Sequence, residues 1–159
     1  MRIKRILVPI DFSDTSLAAL DAAAGFAKAF GAKLLLISAV EPVIVTADLA
    51  GAAEILVKAE QETAMAFQKR LVATARNLTK RGLECRSLVA RGNAALTIVE
   101  TARKTKADLI VIGTHGRTGF SHLFLGSVAE RVVRTAPCLV LTVHGAGRDG
   151  SSGGKRSRR

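Results

Sequence analysis

A group of small residues near the centre of the chain has the types and spacing of a phosphate-binding loop. Two residues separate Gly113 from Gly116, and nine more separate Gly116 from Gly126. Ser127 follows directly. Glycine lets a backbone approach a ligand closely, and the N–H groups that begin a helix attract anions. A serine hydroxyl adds a further donor. The spacing therefore predicts a site that binds phosphate groups.

Two other phosphate-binding patterns do not predict a site in this sequence. The Walker pattern GxxxxGK[ST] does not occur in the sequence. Residues 145–150 match GxGxxG, but a dinucleotide-binding loop must lead into a helix and a second strand. These residues lead instead into SSGGKRSRR, where the sequence ends. The loop that ends at Ser127 is therefore the candidate site.

Hydrophobic periodicity indicates the elements that hold this loop. The unbroken apolar run 109–112 predicts a strand buried on both faces, and a helical pattern runs from Ser127 to Thr135. Further apolar runs predict strands at 6–10, 34–40 and 138–143, and a less apolar strand is predicted at 83–90. Further helical patterns begin at Ser13 or Asp14, at about residue 52, and after a cap at Gly92-Asn93. Alternating strands and helices predict a single doubly wound α/β domain, 1–144, with helices on both faces of a parallel sheet.

The third predicted strand differs from the others because polar and apolar residues alternate in it. We expect the side chains of Glu84 and Arg86 to lie on one face of this strand, and those of Cys85 and Leu88 on the other. Alternation is typical of a strand with one face in solvent. We therefore expect this strand at an edge of the sheet.

Charge and composition narrow the classes of function. The net charge is +11, and five basic residues and one acid lie between 148 and 159. We expect 145–159 to form a disordered basic tail, and the charge to be a solvated surface rather than a specific nucleic-acid site. The chain has six Phe and no Trp or Tyr, which argues against a stacking platform for single-stranded nucleic acid.

The cysteines and the N-terminal segment indicate a compartment. Cys85 and Cys138 belong to no CxxC or Cys/His cluster, which predicts buried free thiols and no metal site. The first apolar run ends at Ile10, too short for a signal-peptide core, and no run approaches the roughly 20 residues of a membrane span. We expect a cytoplasmic protein without a membrane partner.

The G-x2-G-x9-G-S pattern after a buried strand resembles the nucleotide-binding motif of the universal stress protein family, in its UspA-like, ATP-binding branch. The resemblance covers nearly all of residues 3–143, including VPIDFS at 8–13, Gly92 and the run 126–138. It implies the strand order 3-2-1-4-5 and ATP as the ligand, with any Mg²⁺ or Mn²⁺ carried by the phosphates. It also implies a homodimer, and Leu139–Val143 would be an apolar edge strand available for pairing.

The resemblance assigns roles position by position. Asp11, preceded by Pro9 and Ile10, matches the acid that contacts the nucleoside part of ATP. Val40 matches the position whose backbone meets the adenine, and Gly113 the position near the ribose. The residues matching those that hold the phosphates, or that lie in the loop between them, are Thr114, His115, Gly116, Arg117, Gly126, Ser127 and Val128.

The implied strand order brings the two halves of this site together. Asp11 and Gly113 end the first and fourth strands, which that order makes neighbours. Ligands of open α/β sheets bind outside the carboxyl ends of the strands, where the strand order reverses. Asp11 and Gly113 are therefore expected to face each other across the site.

Simpler interpretations stand beside these roles. Asp11 could serve only the start of the first helix, and His115 only as a loop donor or a solvent-facing residue. Arg117 could neutralise phosphate charge or be a solvated cation. His122 and His144 have no motif around them and are expected at the surface.

The function expected from these patterns is a nucleotide-dependent regulator or sensor in a stress response. We expect no enzyme, because no general base is recognisably held against a positioned water. The alternative is a structural or chaperone-like dimer with a vestigial nucleotide site. A third class, an enzyme or flavoprotein on the same kind of fold, lacks a recognisable nucleophile–base pair.

Overall fold

The apolar runs of the sequence form the strands of one parallel sheet. In the computed structural model, which describes residues 2–44, 51–114 and 125–144, the strands are β1 (Arg5–Pro9), β2 (Lys33–Val40), β3 (Cys85–Arg91), β4 (Leu109–Gly113) and β5 (Leu139–Val143). The helices between them are α1 (Asp14–Phe30), α2 (Ala53–Lys80), α3 (Ala94–Thr105) and α4 (Ser127–Thr135). The sheet order is β3-β2-β1-β4-β5, with every neighbouring pair parallel. The predicted fold class and the implied strand order are confirmed. The predicted tail, 145–159, lies outside the described residues.

The sheet has a hydrophobic layer on each face. In β1, Ile6 and Val8 pack with buried residues of α1 and α2, whereas Leu7 packs with those of α3 and α4. The same alternation divides β4, where Val111 belongs to the first layer and Ile112 to the second. Successive side chains of a strand point to opposite faces, so an unbroken apolar run is what a strand covered on both sides requires.

Strand β3 lies at an edge of the sheet, as its alternating sequence predicted. One part of that prediction is wrong, because Leu88 does not share the face of Cys85. Residues two apart point the same way, so Leu88 lies with Arg86, and both are exposed. Cys85 and Val89 instead pack against the layer formed by α1 and α2.

The helix ends follow the capping residues of the sequence. The Ser13 hydroxyl accepts the backbone N–H of Ser16 at the start of α1, and Gly31 ends that helix in the left-handed conformation. The Asn93 side chain caps α3 by accepting the N–H of Leu96. Side-chain acceptors satisfy N–H groups that the first turn of a helix leaves unpaired, which explains both starts.

Helix α2 is long, but only its second half contributes to the core. Its buried residues are Leu71, Ala75 and Leu78. Ile55 and Met65 in its first half are 71% and 64% exposed. No helix among the described residues has the length and apolar character to cross a membrane.

The end of β4 lies against the first turn of α1. A Cβ atom on Gly113 would lie 2.8 Å from the backbone carbonyl carbon of Thr15 and 3.0 Å from the backbone nitrogen of Ser16. Real Cβ atoms essentially never come closer than about 3 Å to such atoms, and backbone atoms cannot rotate away. Gly113 is therefore needed for this close approach, whatever else it contacts.

The uneven burial of α2 predicts unequal costs of truncation along it. Leu71→Ala should destabilise the protein by about 2–5 kcal/mol, because a fully buried leucine leaves a cavity. Ile55→Ala, at an exposed position on the same helix, should change the free energy of unfolding by no more than about 0.5 kcal/mol. Urea unfolding followed by circular dichroism measures both. Equal costs at the two positions would contradict the packing described for α2.

The close approach at Gly113 predicts that two glycines respond in opposite directions. Gly113→Ala should destabilise by about 1–3 kcal/mol, since the new methyl group meets the backbone of α1. Gly25→Ala is the control, because Gly25 lies within α1 with nothing within 4 Å of its Cβ position. It should stabilise by about 0.5–1 kcal/mol. Urea unfolding midpoints compare them, and a stabilising Gly113→Ala would show that the approach is looser than described.

Candidate functional site

A cavity of about 200 Å³ opens at the carboxyl ends of the central strands. Strand β1 pairs with β2 on one side and with β4 on the other, which makes this the point where the strand order reverses. The residues lining the cavity are Pro9, Ile10, Asp11, Ser16, Ile37, Ala39, Ala94, Ile98, Ile112, Gly113, Thr114, Gly126, Ser127, Val128 and Ala129.

Most of the site residues expected from the sequence meet in this cavity. The ends of β1 and β4 and the start of α4 contribute Pro9, Ile10, Asp11, Gly113, Thr114, Gly126, Ser127 and Val128. Val40 is not among the lining residues. His115, Gly116 and Arg117 lie outside the described residues, as does His122.

At the end of β2, Ala39 contributes to the cavity wall, whereas the Val40 side chain does not. Ala39 lines the cavity, whereas the Val40 side chain is 6% exposed and its carbonyl accepts the N–H of Gly92 at 3.0 Å. Consecutive residues of a strand point to opposite faces, so only one of the two can present its side chain to the cavity. The contact expected between Val40 and the base involves the Val40 backbone, which the direction of its side chain does not decide, so it stays a prediction.

An apolar wall of the cavity was missed by the sequence analysis. It is formed by Ile37 and Ala39 of β2 and by Ala94 and Ile98 of α3. Ile37 and Ala39 could have been found from the sequence, because residues two apart in a strand lie on the same face. The contribution of α3 depends on tertiary packing. There, Glu41 Oε1 lies 3.4 Å from both Asn93 Nδ2 and the Ala94 backbone nitrogen, which joins the end of β2 to the start of α3.

Hydrogen bonds at Ile10 and at Asp11 hold the segment that follows β1. Ile10 donates its N–H to the carbonyl of Ile37 at 2.8 Å, and the buried Ser38 hydroxyl donates to the carbonyl of Ile10 at 2.5 Å. Asp11 Oδ1 accepts both the N–H and the hydroxyl of Ser13, at 3.0 Å and 2.6 Å. Ser13 is thus the cap of α1, and Asp11 orients that cap while also lining the cavity.

Phe12, between Asp11 and the cap, has a left-handed backbone with φ of +63°. Only glycine adopts this conformation without penalty, and a side chain costs roughly 1–2 kcal/mol there. The Phe12 ring lies 3.7 Å from the Arg70 guanidinium and 5.7 Å from the Phe67 ring, both in α2. These contacts help to hold the turn in which Asp11 sits.

The two ends of the glycine-rich segment, Thr114 and Gly126, both line the cavity and are joined to each other. Gly126 donates its N–H to the carbonyl of Thr114 at 2.7 Å, and Thr114 donates to the carbonyl of Val143 at 2.9 Å. Gly126 is the N-cap of α4 and makes no side-chain cap bond. The first turn of α4 thus begins at the cavity, where N–H groups and the helix dipole, about half a positive charge, favour an anion.

The cavity has an uneven distribution of polar groups. Isoleucine and alanine side chains of β2, α3 and β4 form one wall. The polar side chains of the lining belong to Asp11, Ser16, Thr114 and Ser127. Asp11 is the charged residue among the described residues that line it. An apolar slot between a carboxylate and a helix N-terminus suits a ligand with a flat apolar part, hydroxyl groups and an anionic end.

The cysteines lie away from this cavity. Both are free, as the sequence predicts, but they are half-buried, whereas the sequence predicts buried thiols. Burial raises the pKa of the Cys85 thiol to about 11, and burial together with the Asp108 carboxylate raises the pKa of Cys138. A raised pKa leaves little thiolate at neutral pH, so neither thiol is activated as a nucleophile or as a metal ligand. Within the described ranges, no cluster of three or more metal-ligating side chains occurs.

Known proteins are similar to this chain in sequence and in architecture. Universal stress protein MJ0531 of Methanocaldococcus jannaschii is 38% identical over 141 residues, which cover 88% of this chain and 81% of that protein. The structure of UspA from Lactobacillus plantarum superposes with a TM-score of 0.75 at 27% identity, covering 90% of this chain and 99% of that one. A universal stress protein solved in complex with cAMP superposes with a TM-score of 0.63 at 27% identity, covering 92% and 100%.

The family model agrees with these relatives. The model of the universal stress protein family matches residues 2–144, which include every described strand and helix. The chain therefore belongs to the universal stress protein family.

Proposed function

We propose that this protein binds ATP in the cavity at the ends of β1 and β4 and acts as a nucleotide-dependent regulator in a stress response. The observation that carries the proposal is the juxtaposition of Asp11 and the first turn of α4 around one apolar slot. That arrangement offers an acceptor for a sugar hydroxyl at one end and donors for phosphates at the other. A related structure contains cAMP, which supports an adenine nucleotide as the ligand.

The phosphates are proposed to lie at the start of α4. Gly126 has φ of −59° and ψ of 149°, so its lack of a side chain is not required by its backbone. It is better explained by the room it leaves for a ligand beside the helix N-terminus. The Ser127 hydroxyl would donate to a phosphate oxygen. His115, Gly116 and Arg117 are proposed to complete this end, and Mg²⁺ or Mn²⁺ would be carried by the phosphates.

The nucleoside is proposed to lie between Asp11 and the apolar wall. Asp11 Oδ1 is engaged by Ser13, which leaves Oδ2 for a ribose hydroxyl. Ile37, Ala39 and Ile98 would contact the flat face of the base. The described part of the cavity, about 200 Å³, is smaller than the roughly 300–1,000 Å³ of typical ligand sites. The complete site is therefore proposed to extend beyond the part that the described residues line.

We propose binding rather than turnover as the activity. A hydrolase needs a base within hydrogen-bonding reach of an attacking water. Asp11 is the described carboxylate in the cavity, and two donors from Ser13 hold it as an acceptor. We also propose the cytoplasm as its location, since two free thiols are typical of a reducing compartment.

The binding proposal predicts a nucleotide-dependent gain in stability. ATP at about 100 times its dissociation constant should stabilise the protein by about 2.7 kcal/mol, and denaturing the purified protein should release adenine nucleotide to chromatography. Gly126→Val should fold yet show no shift with ATP, because its side chain occupies the phosphate position. Gly51→Val is the matched control, with nothing within 4 Å of its Cβ position.

The outcomes of this experiment separate the alternatives. If the parent protein releases no nucleotide and does not shift with ATP, a structural or chaperone-like role with a vestigial site is favoured. If Gly126→Val binds as well as the parent protein, the phosphates lie elsewhere. Loss of binding in Gly51→Val would mean that valine substitution itself disturbs the protein.

We also propose that the protein is a homodimer that pairs through β5. This strand forms an edge of the sheet, and Leu139 is 48% exposed. Edge strands present unpaired backbone groups that another strand can satisfy.

The dimer proposal predicts the mass of the protein in solution. Size-exclusion chromatography with light scattering should give about twice the 16.7 kDa of one chain. Leu139→Lys should shift the protein towards the monomer by placing a charge in the interface. Phe30→Lys, at a position 51% exposed on α1, should leave the mass unchanged. A monomeric parent protein would disprove the proposal.

A further inference from the structure

A second cavity lies on the other side of Asp11 from the proposed nucleotide site. It measures about 400 Å³ and is lined by Asp11, Phe12, Thr63, Ala66, Phe67 and Arg70. Asp11 also lines the cavity between β1 and β4. The short segment of Asp11 and Phe12 is therefore the wall between the nucleotide site and α2.

We propose that Arg70 is a positioning residue for the nucleotide site, acting through Phe12 on Asp11. This inference rests on the proposed binding of ATP. Arg70 lies on the far side of Phe12 from the nucleotide cavity, and it is not among the residues lining that cavity. Its proposed effect on ATP affinity passes through the turn that holds Asp11.

The backbone of Phe12 explains why the turn needs support. Its φ of +63° is one that residues with a side chain rarely adopt, so the isolated segment prefers extended conformations. A change of φ at Phe12 would swing Asp11 relative to Ser13 and break the bonds from the Ser13 N–H and hydroxyl. The contacts of the Phe12 ring with Arg70 and Phe67 oppose that change.

The position of these contacts on α2 makes the turn sensitive to that helix. Phe67 and Arg70 come just before Leu71, the first buried residue of α2. Towards its start, α2 is tied to the sheet edge by Glu60, which accepts the Val43 N–H at 3.1 Å and pairs with Arg91 at 3.3 Å. A displacement of the exposed first half of α2 would reach the Phe12 contacts before it reached the core.

Thermodynamic linkage makes the coupling reciprocal. If the Phe12 contacts favour the placement of Asp11 that binds nucleotide, bound nucleotide must favour the same contacts to the same degree. The exposed half of α2 would then be held more firmly in the nucleotide-bound protein. Through this route the nucleotide would alter the surface that α2 presents to a partner.

The test is a double-mutant cycle read by calorimetric titration of ATP. Arg70→Gln should weaken ATP binding about two- to five-fold, the fold-change that corresponds to an exposed cation–π contact. Arg76→Gln is the matched control, since it removes the same charge from α2 at an exposed residue away from Phe12. It should leave the affinity within error.

The decisive comparison is made in a Phe12→Gly background. Glycine reaches the left-handed conformation without penalty and has no ring for Arg70 to contact. Arg70→Gln should therefore have no further effect on ATP affinity in Phe12→Gly. A purely electrostatic or global structural role of Arg70 would persist in that background.

A second measurement needs no nucleotide. Backbone hydrogen exchange at Ser13 should be faster in Arg70→Gln than in the parent protein or in Arg76→Gln, because the turn opens more often.

The outcomes of the titration separate this inference from the proposed function. If the parent protein binds ATP and the affinities of Arg70→Gln and Arg76→Gln are equal, this inference is overturned and the proposed function remains. No ATP binding by the parent protein would overturn the proposed function, and this inference with it. An Arg70→Gln effect that persists in Phe12→Gly would also overturn the positioning role.

Discussion

The close approach of β4 to the first turn of α1 is the constraint on which the site depends. Gly113 brings the end of β4 so near the backbone of Thr15 that even a methyl group would collide with it. This contact sets the distance between the end of β4 and the turn after β1. Because β1 and β4 are neighbours whose helices leave towards opposite faces, the space between their ends becomes a cavity.

The cavity draws its chemistry from backbone placement more than from charged side chains. Asp11 is its charged residue within the described part of the chain, and the rest of its polarity comes from hydroxyl groups and from the first turn of α4. Such groups bind and orient a ligand but move few protons. That balance is one reason to propose that a nucleotide acts here as a signal rather than as a substrate.

The elements themselves were largely predictable because local patterns decide them. Buried apolar runs predicted the strands within one or two residues, and capping residues such as Ser13 and Gly31 marked helix ends. The predicted face of Leu88 is wrong because a hydrophobic side chain in an edge strand need not be buried. Its parity with Arg86 places it on the exposed face, since only side-chain alternation decides which face a residue joins.

The type of fold, and the selection of Asp11, Gly126 and Ser127 as candidate site residues, followed from the sequence alone. Those features are local, since they depend on residue types and on spacing along the chain. The packing of the elements, in contrast, was needed to learn that Ala39 lines the cavity, that α3 supplies part of its wall, and that α2 reaches Phe12. These contacts join residues far apart in the chain, and only the packing of helices on both faces of the sheet brings them together.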